Sequence, residues 1–459
     1  MRSLPRARLL PTLPAATAIL LAGCSDDTPT APAAASAPAL SEAATLAAEV
    51  RALAAGRGIG QLSQPAPVRP ELMRLGQALA FDKILSGNRD IACMTCHLPA
   101  FATGDGRSLS IGQGAAGLGP DRVHPNEEFI PRNAPPAFNL FALKPLFWDG
   151  RVIVNERGKV VTPAGQRINP HIGDAFEFGA LSALPLFPVV SREEMRSTTG
   201  NELAAVSDKQ MQQVWDGLMD RLGRIREYRR MFEAAYPGTR FAEMNFGHAS
   251  NAIAGFLIDR LAFNDSPWDR FLAGDDAAMT AVQLRGAKNF LSARCSICHN
   301  GPALTDNQFH NVAVAQFGPG KGDGPSGHDD FGRGRETGRP QDRYAFRTPP
   351  LRNVELTAPY GHDGAFFDLR AFVAHYSESD LKLHAFDGSE LEPLLQGTLL
   401  HNIDDILATR DTLLNGVVFA EVTIDEVTEF MRALTDPAAR DLRSIAPASV
   451  PSGLPVDAP

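Results

Sequence analysis

Apolar positions along this 459-residue chain fall into stretches with helical spacing, separated by segments rich in Gly and Pro. Val206 to Ala235 carries Val214, Leu218, Leu222, Ile225 and Phe232 on one face. Ala249 to Leu261 repeats that pattern, and Ile424 to Leu434 reads as a closing helix. Ser41 to Ala55 is Ala-rich, with Ser41 as a candidate cap and Gly56 as a stop. Strand patterning is scarce. Val152-Ile153-Val154 and Val160-Val161 flank Asn155-Glu156-Arg157-Gly158, which predicts a small β-hairpin insertion. Residues 317–340 hold Gly and Asp without periodicity and read as a long loop. The fold class is therefore mainly α.

One pattern occurs twice. Arg74-Leu75-Gly76 and Phe81 lead to Cys93-Met94-Thr95-Cys96-His97; Arg285-Gly286 and Phe290 lead to Cys295-Ser296-Ile297-Cys298-His299. Each is a helical segment, a turn and a Cys-x-x-Cys-His run. Each is followed by a loop with an aspartate, Asp105 in the first and Asp306 in the second. Two related domains in tandem explain this.

Composition alters the picture in two places. The net charge is −9; the first 23 residues contain Arg2, Arg6 and Arg8 and no acid, so losing them takes −9 to −12. A chain this acidic lacks the basic face that nucleic acid requires, and nucleic acid is not an expected partner. The same N-terminus pairs a positive region with the apolar stretch Leu9–Leu21, too short for a membrane span, and ends in Leu21-Ala22-Gly23-Cys24. That ending resembles a bacterial lipobox. Residues 1–23 then read as a lipoprotein signal peptide, with Cys24 lipidated as a membrane anchor on the periplasmic side, in the outer membrane by resemblance to bacterial sorting rules. Residues 24–69 read as tether and linker. Cys24 aside, the chain has four Cys, all within the two Cys-x-x-Cys-His runs, so none is left for a structural disulfide.

Cys-x-x-Cys-His suits haem c. The two thiols add to the two vinyl groups, and the adjacent His ligates the iron. Zinc is the rival for Cys93, Cys96, Cys295 and Cys298 taken together, but it leaves His97 and His299 unexplained. The expected cofactors are two haem c, with His97 and His299 as iron ligands. No Met lies between His299 and Met431. The sixth-ligand candidates for the second iron are therefore several His together with Tyr344, Tyr360 and Tyr376.

Arg132-Asn133-Ala134-Pro135, Phe147-Trp148-Asp149-Gly150-Arg151, Ser191-Arg192-Glu193-Glu194-Met195 and Thr348 to Gly364, with the two haem motifs, resemble the bacterial dihaem cytochrome c peroxidase and MauG family over about residues 70–437. The resemblance implies two cytochrome c-like haem domains, an N-terminal peroxidatic one at 70–280 and a C-terminal electron-transfer one at 281–437, followed by a tail at 438–459. It implies Tyr376 as distal ligand of the second iron, where peroxidases of the family carry Met and the MauG branch carries Tyr; His375 is the adjacent competitor. It implies Glu194 as distal acid–base and Trp148 as the residue between the haems. Asn133, Thr357 and Pro359 match the family's calcium ligands. The family's Gln upstream of the distal Glu is replaced here by Leu184. His124 lies one residue out of register with a displaceable His ligand of the first haem, so an open first haem is favoured.

The expected function is a dihaem c-type oxidoreductase that reacts with hydrogen peroxide at the N-terminal haem. It either reduces peroxide to water with electrons from a small cytochrome c or copper protein, or uses the oxidising equivalents on a side chain of a partner protein. The alternative is a non-enzymatic dihaem electron-transfer cytochrome.

Overall fold

A computed structural model describes residues 42–165 and 170–457. The leader, Cys24 and the first part of the tether lie outside the described residues. The chain is mostly helical, with two small antiparallel sheets. Its main helices are α1 (Glu42–Gly56), α2 (Pro70–Phe81), α3 (Cys93–Cys96), α4 (Met211–Gly223), α5 (Arg226–Ala235), α6 (Phe246–Arg260), α7 (Pro267–Leu272), α8 (Ala281–Ser292), α9 (Cys295–Cys298), α10 (Leu369–His375) and α11 (Glu421–Ala433).

The starts of the two repeated helices are encoded locally. In α2, Pro70 occupies the first turn, where its missing N–H costs nothing, and Glu71 faces the positive end of the helix. In α8, Thr280 accepts from Gln283 N at 3.3 Å and the Gln283 amide accepts from Thr280 N at 3.0 Å, a reciprocal cap. The single helical pattern from Val206 to Ala235 breaks into α4 and α5, because Ile225 adopts an extended conformation (φ −98°, ψ 111°) while its side chain stays in the apolar register.

The two repeated helices are docked by the same device. A Cβ on Gly76 of α2 would lie 1.8 Å from Ala252 O of α6, and one on Gly286 of α8 would lie 1.8 Å from Glu426 O of α11. Only glycine allows the backbones to approach so closely. Each pair anchors one core. The first core contains Leu75, Leu79, Phe81, Trp215, Phe232 and Phe256; the second contains Trp268, Phe271, Phe290 and Phe430. Trp268 stacks on Phe271 and meets Phe430 edge-on. A buried ion pair, Arg352 to Asp269 at 2.6 Å, ties the start of α7 to the segment that follows β5 (Phe346–Arg347).

The terminal segments cross over. Ala47, Val50 and Ala54 of α1 are buried in the second core, whereas Ala439, Leu442, Ile445 and Val450 are buried in the first. Asp457 bonds Thr95 Oγ1 at 2.5 Å and Lys83 at 2.7 Å, so the C-terminal segment clamps the first Cys-x-x-Cys turn.

The hairpin insertion forms as the alternation predicts. β2 (Val152–Val154) pairs with β3 (Val160–Val161), with Ile153 opposite Val161, and β1 (Pro145–Leu146) adds a third strand. A second ribbon joins β4 (Phe309–His310) to β5, Phe309 opposite Arg347. The loop at 317–340 carries a short helical turn at Arg333–Thr337 and is held by a buried charge network. Arg132 bonds Asp149 at 2.5 Å and Asp330 at 2.6 Å, and Asp149 also bonds Arg151 at 2.9 Å. Although burial opposes their charged forms, the opposing charges hold Arg132 well above its ordinary pKa and Asp149 well below its own.

Candidate functional site: two cavities bridged by Trp148 and Arg347

Each Cys-x-x-Cys-His run forms one turn of helix with its His just beyond. His97 Nδ1 lies 2.9 Å from Thr103 O, and His299 Nδ1 lies 3.0 Å from Leu304 O. A proton on Nδ1 donates to that carbonyl, fixes the ring and leaves Nε2 as the ligand atom. Burial pushes both imidazoles down, His299 to about 4, so both are neutral and ready to ligate. The four cysteines form no disulfide. Burial raises the Cys93 and Cys295 thiols to about 12, so as free groups they stay protonated.

Each run borders a cavity. The first is lined by Cys93, Cys96 and His97, the second by Cys295, Cys298 and His299. Two cysteines and an iron-ready His on the wall of one cavity are the donor set of covalent haem c, and both cavities have it.

The first cavity carries one carboxylate, Glu194. It sits on a single π-helical turn, Arg192–Arg196, capped by Ser191 Oγ, which accepts from Glu194 N at 3.2 Å; such turns recur at functional sites. Gln113 N donates to Glu194 O at 3.0 Å. Leu184 and Pro185 line the same cavity, so the Gln that the family places there has no polar counterpart at that position. Arg151, to which its motif assigns no role, also lines this cavity. Its guanidinium stands 4.0 Å from Glu194 Oε1, rests on the Phe147 ring at 3.6 Å and is tethered by Asp149. His124 does not line the cavity; its Nδ1 accepts from Asn126 N at 3.1 Å.

The second cavity has no methionine in its lining. Of the tyrosines that follow His299, Tyr344 and Tyr376 line it, while Tyr360 bonds Val354 O at 3.1 Å. Tyr376 stands at the end of α10, whose start is capped by Asp368 accepting from Ala371 N at 2.8 Å. Burial pushes its phenol pKa up, and its hydroxyl makes no hydrogen bond among the described residues. His375, the neighbouring candidate, is turned away. Its Nε2 bonds Val312 O at 2.8 Å, and it does not line the cavity. His310 lines the cavity but is clamped by Asp306 at 2.9 Å and Asp411 at 2.5 Å. Burial opposes its charged form, yet Asp306 and then Cys298 and Asp411 raise it to about 11. Cys298, Asp306 and His310 form a metal-like trio among the described residues, but Cys298 is committed to the haem motif. His362 is buried, and its ring stacks on Phe346 at 3.6 Å.

Trp148 and Arg347 line both cavities. The Trp148 indole donates to Asn133 O at 2.9 Å. Arg347 is 4% exposed and has no carboxylate partner among the described residues; its Nε donates to Phe147 O and its guanidinium lies 5.9 Å from the Trp148 ring. Burial lowers its pKa to about 10. Asn133 donates to Arg107 O, and its N–H donates to His362 O. Pro359 lies against Gly364, which abuts Ser108 beside Asn133, and the Thr357 hydroxyl donates to Val354 O.

A family model for di-haem cytochrome c peroxidase matches residues 70–277. The chain is 30% identical over 328 residues to the cytochrome c551 peroxidase of Pseudomonas aeruginosa, covering 71% of this chain and 76% of that protein. It is 28% identical over 313 residues to the methylamine utilization protein MauG of Methylorubrum extorquens, covering 68% and 69%. Among solved structures it is similar in fold to a MauG-like protein associated with microbial copper homeostasis, with a TM-score of 0.56, 24% identity, and coverage of 85% of this chain and 95% of that one.

Proposed function

Because the chain belongs to the dihaem cytochrome c peroxidase and MauG family, we propose that it reacts with hydrogen peroxide at its first cavity and stores oxidising equivalents at its second, in the manner of MauG. It is a dihaem c-type oxidoreductase of the peroxidase kind, and a purely electron-carrying role gives way to that membership. When bound, the haem irons supply the redox chemistry: peroxide accepts two electrons and two protons to become two waters.

The residues of the first cavity handle the protons. Glu194 would take a proton from one oxygen of peroxide and deliver it to the other. Arg151, 4.0 Å from Glu194 Oε1, supplies a polar group beside that carboxylate where Leu184 supplies none. Trp148, on the wall of both cavities, would stand between the two haems once bound.

The observation that carries the storage reading is Tyr376. It lines a second cavity that has no methionine, and its hydroxyl is uncommitted among the described residues. A phenolate ligand stabilises oxidised iron, whereas a thioether stabilises reduced iron. Such a site accepts electrons poorly and holds an oxidising equivalent well. The equivalents then pass to a side chain of a partner protein or to electrons from a small cytochrome c or copper protein. EPR of the resting holoenzyme tests this: one high-spin haem and one low-spin haem with a tyrosinate signature are expected. Two haems with His/Met character would refute it.

The chain is further proposed to be lipid-anchored through Cys24, on the periplasmic side of the outer membrane. The motif and the tether behind it support this reading. No helix among the described residues is long and apolar enough to cross a membrane. Cys24→Ala should release the holoprotein from membranes with its haem intact; unchanged membrane association would remove the anchor. Calcium at Asn133, Thr357 and Pro359 is the remaining family-derived proposal, checked by metal analysis after chelation.

A further inference from the structure

One tryptophan and two tyrosines line the second cavity, and they differ in where a proton could go. The Trp148 indole N–H donates to a backbone carbonyl, Asn133 O, which does not accept a proton. The Tyr376 hydroxyl has no hydrogen-bond partner among the described residues. The Tyr344 hydroxyl donates to a carboxylate, Asp329 Oδ2, at 2.7 Å. Both residues of that pair are buried, Tyr344 at 4% exposure and Asp329 at 3%.

The difference matters because an oxidised phenol is a strong acid. An aromatic side chain that loses an electron is stabilised when a base is already bonded to its proton, and burial removes the water that would otherwise serve. The local backbone points the same way. Tyr344 has φ +60°, a left-handed conformation that an aromatic residue adopts only at a cost and that clusters at functional positions. The conformation is held by Tyr344 N donating to Phe331 O at 3.1 Å, and Phe331 meets the Tyr344 ring edge-on at 5.3 Å. Asp329 is fixed in turn. Its N–H donates to Asp323 O at 3.1 Å, and its carbonyl accepts from Lys321 and Asp323 N–H groups. Acceptor and donor therefore belong to the 317–340 loop and to the turn that leads from it into β5, so the pair connects the second cavity with that loop.

We propose that Tyr344 is a redox relay of the second haem, with Asp329 as its proton acceptor. The step balances. Tyr344 gives one electron to the oxidised second haem, which is reduced by one equivalent. The phenolic proton moves 2.7 Å to Asp329 Oδ2, leaving a neutral tyrosyl radical beside a carboxylic acid. An electron from the donor or partner protein, with return of the proton, restores Tyr344. The oxidising equivalent originates in hydrogen peroxide. The inference rests on the reading that the second haem stores an equivalent, and it adds an exit from that store towards the 317–340 loop.

The test is freeze-quench EPR with parallel optical spectra on the holoenzyme after hydrogen peroxide. Wild type should show a narrow organic-radical signal that changes width when the protein is grown with ring-deuterated tyrosine. Tyr344→Phe keeps the ring and should abolish that signal while leaving the resting haem spectra and the initial peroxide-induced optical change intact. Asp329→Asn, an independent variant that keeps the loop's backbone contacts, should diminish it. A radical unchanged in Tyr344→Phe, or no radical in wild type despite a peroxide-induced optical change, overturns the relay and leaves storage standing. Absence of any optical change at the second haem overturns the storage reading and the relay with it.

Discussion

The two cavities share one scaffold and differ in the rest of their linings. Both present a Cys-x-x-Cys turn, a His whose Nδ1 is bonded to a carbonyl a few residues on, and a helix docked through a single glycine. The repeated part thus fixes the cofactor and its proximal ligand. The distal walls come from segments outside the repeat: Glu194 from a π-helical turn and Arg151 from the start of the hairpin insertion in the first cavity, Tyr376 from the end of α10 in the second. Even the aspartates that follow the two His residues diverge. Burial raises Asp105 to about 6, whereas Asp306, also desolvated, is held below its ordinary value by His310. Duplication of the cofactor-binding part and divergence of the loops is how one chain obtains two haem sites with different surroundings.

The sharpest way to break this contrast is to remove the one carboxylate of the first cavity, the base proposed above. Glu194→Gln keeps the shape of the turn but cannot carry a proton. It should slow the reaction with peroxide by roughly 10²–10⁴-fold and leave the resting spectrum close to wild type, as stopped-flow absorbance will show. A variant that reacts at the wild-type rate would move the peroxide chemistry elsewhere. Arg151→Leu should give a smaller loss, because it removes a neighbour 4.0 Å from Glu194 Oε1 and leaves the carboxylate in place.

The second cavity is probed by making its wall ordinary. Tyr376→Met should raise the potential of the second haem by tenths of a volt, a fraction of the roughly 0.8 V that axial ligands span. It should also shorten the life of the peroxide-generated state. Tyr376→His keeps a six-coordinate iron without the anionic oxygen and should fall between the two. Spectroelectrochemistry decides; unchanged potentials in both variants would return Tyr376 to the role of a cavity-filling aromatic.

What was legible in the sequence follows from how local each signal is. Covalent haem attachment demands adjacent residues, so Cys93 to His97 and Cys295 to His299 were readable as written. The helices and the 152–161 hairpin were readable from periodicity. The break between α4 and α5 was not, because Ile225 keeps the apolar rhythm while its backbone departs from the helix. The crossing of the terminal segments onto opposite cores was also hidden, since nothing in a tail's own residues says which core it meets. Arg151 stood in a quoted motif, but its place 4.0 Å from Glu194 depends on a contact across 43 positions of chain. Arg347 carries a buried charge on the wall of both cavities, a placement that no local pattern encodes. Tyr376 was the ligand that the resemblance implied and His375 its neighbouring competitor; the end of α10 turns His375 to Val312 O and Tyr376 to the cavity.

The smallest effect in view concerns the two aspartates, and it sharpens the comparison through opposite signs. In the folded chain Asp105 takes up its proton at about 6, because burial outweighs the help of Ser110 and Arg107; unfolded, it does so near the ordinary ~3.9. Between those values the folded state binds more protons than the unfolded state, so this group's contribution to stability falls as pH rises from about 4 to 6. At neutral pH the buried carboxylate then costs up to about 3 kcal/mol. Asp105→Asn removes that cost, so the variant should match wild type near pH 4 and exceed it near pH 7. Asp306 behaves in reverse. Its lowered pKa makes a stabilising contribution above the unfolded value, lost as pH falls through the folded one, so Asp306→Asn should weaken the protein at neutral pH and less in acid. Urea midpoints of both variants at the two pH values read this directly. Shifts of the same sign at neutral pH would mean that the two loops share more than the repeat alone implies.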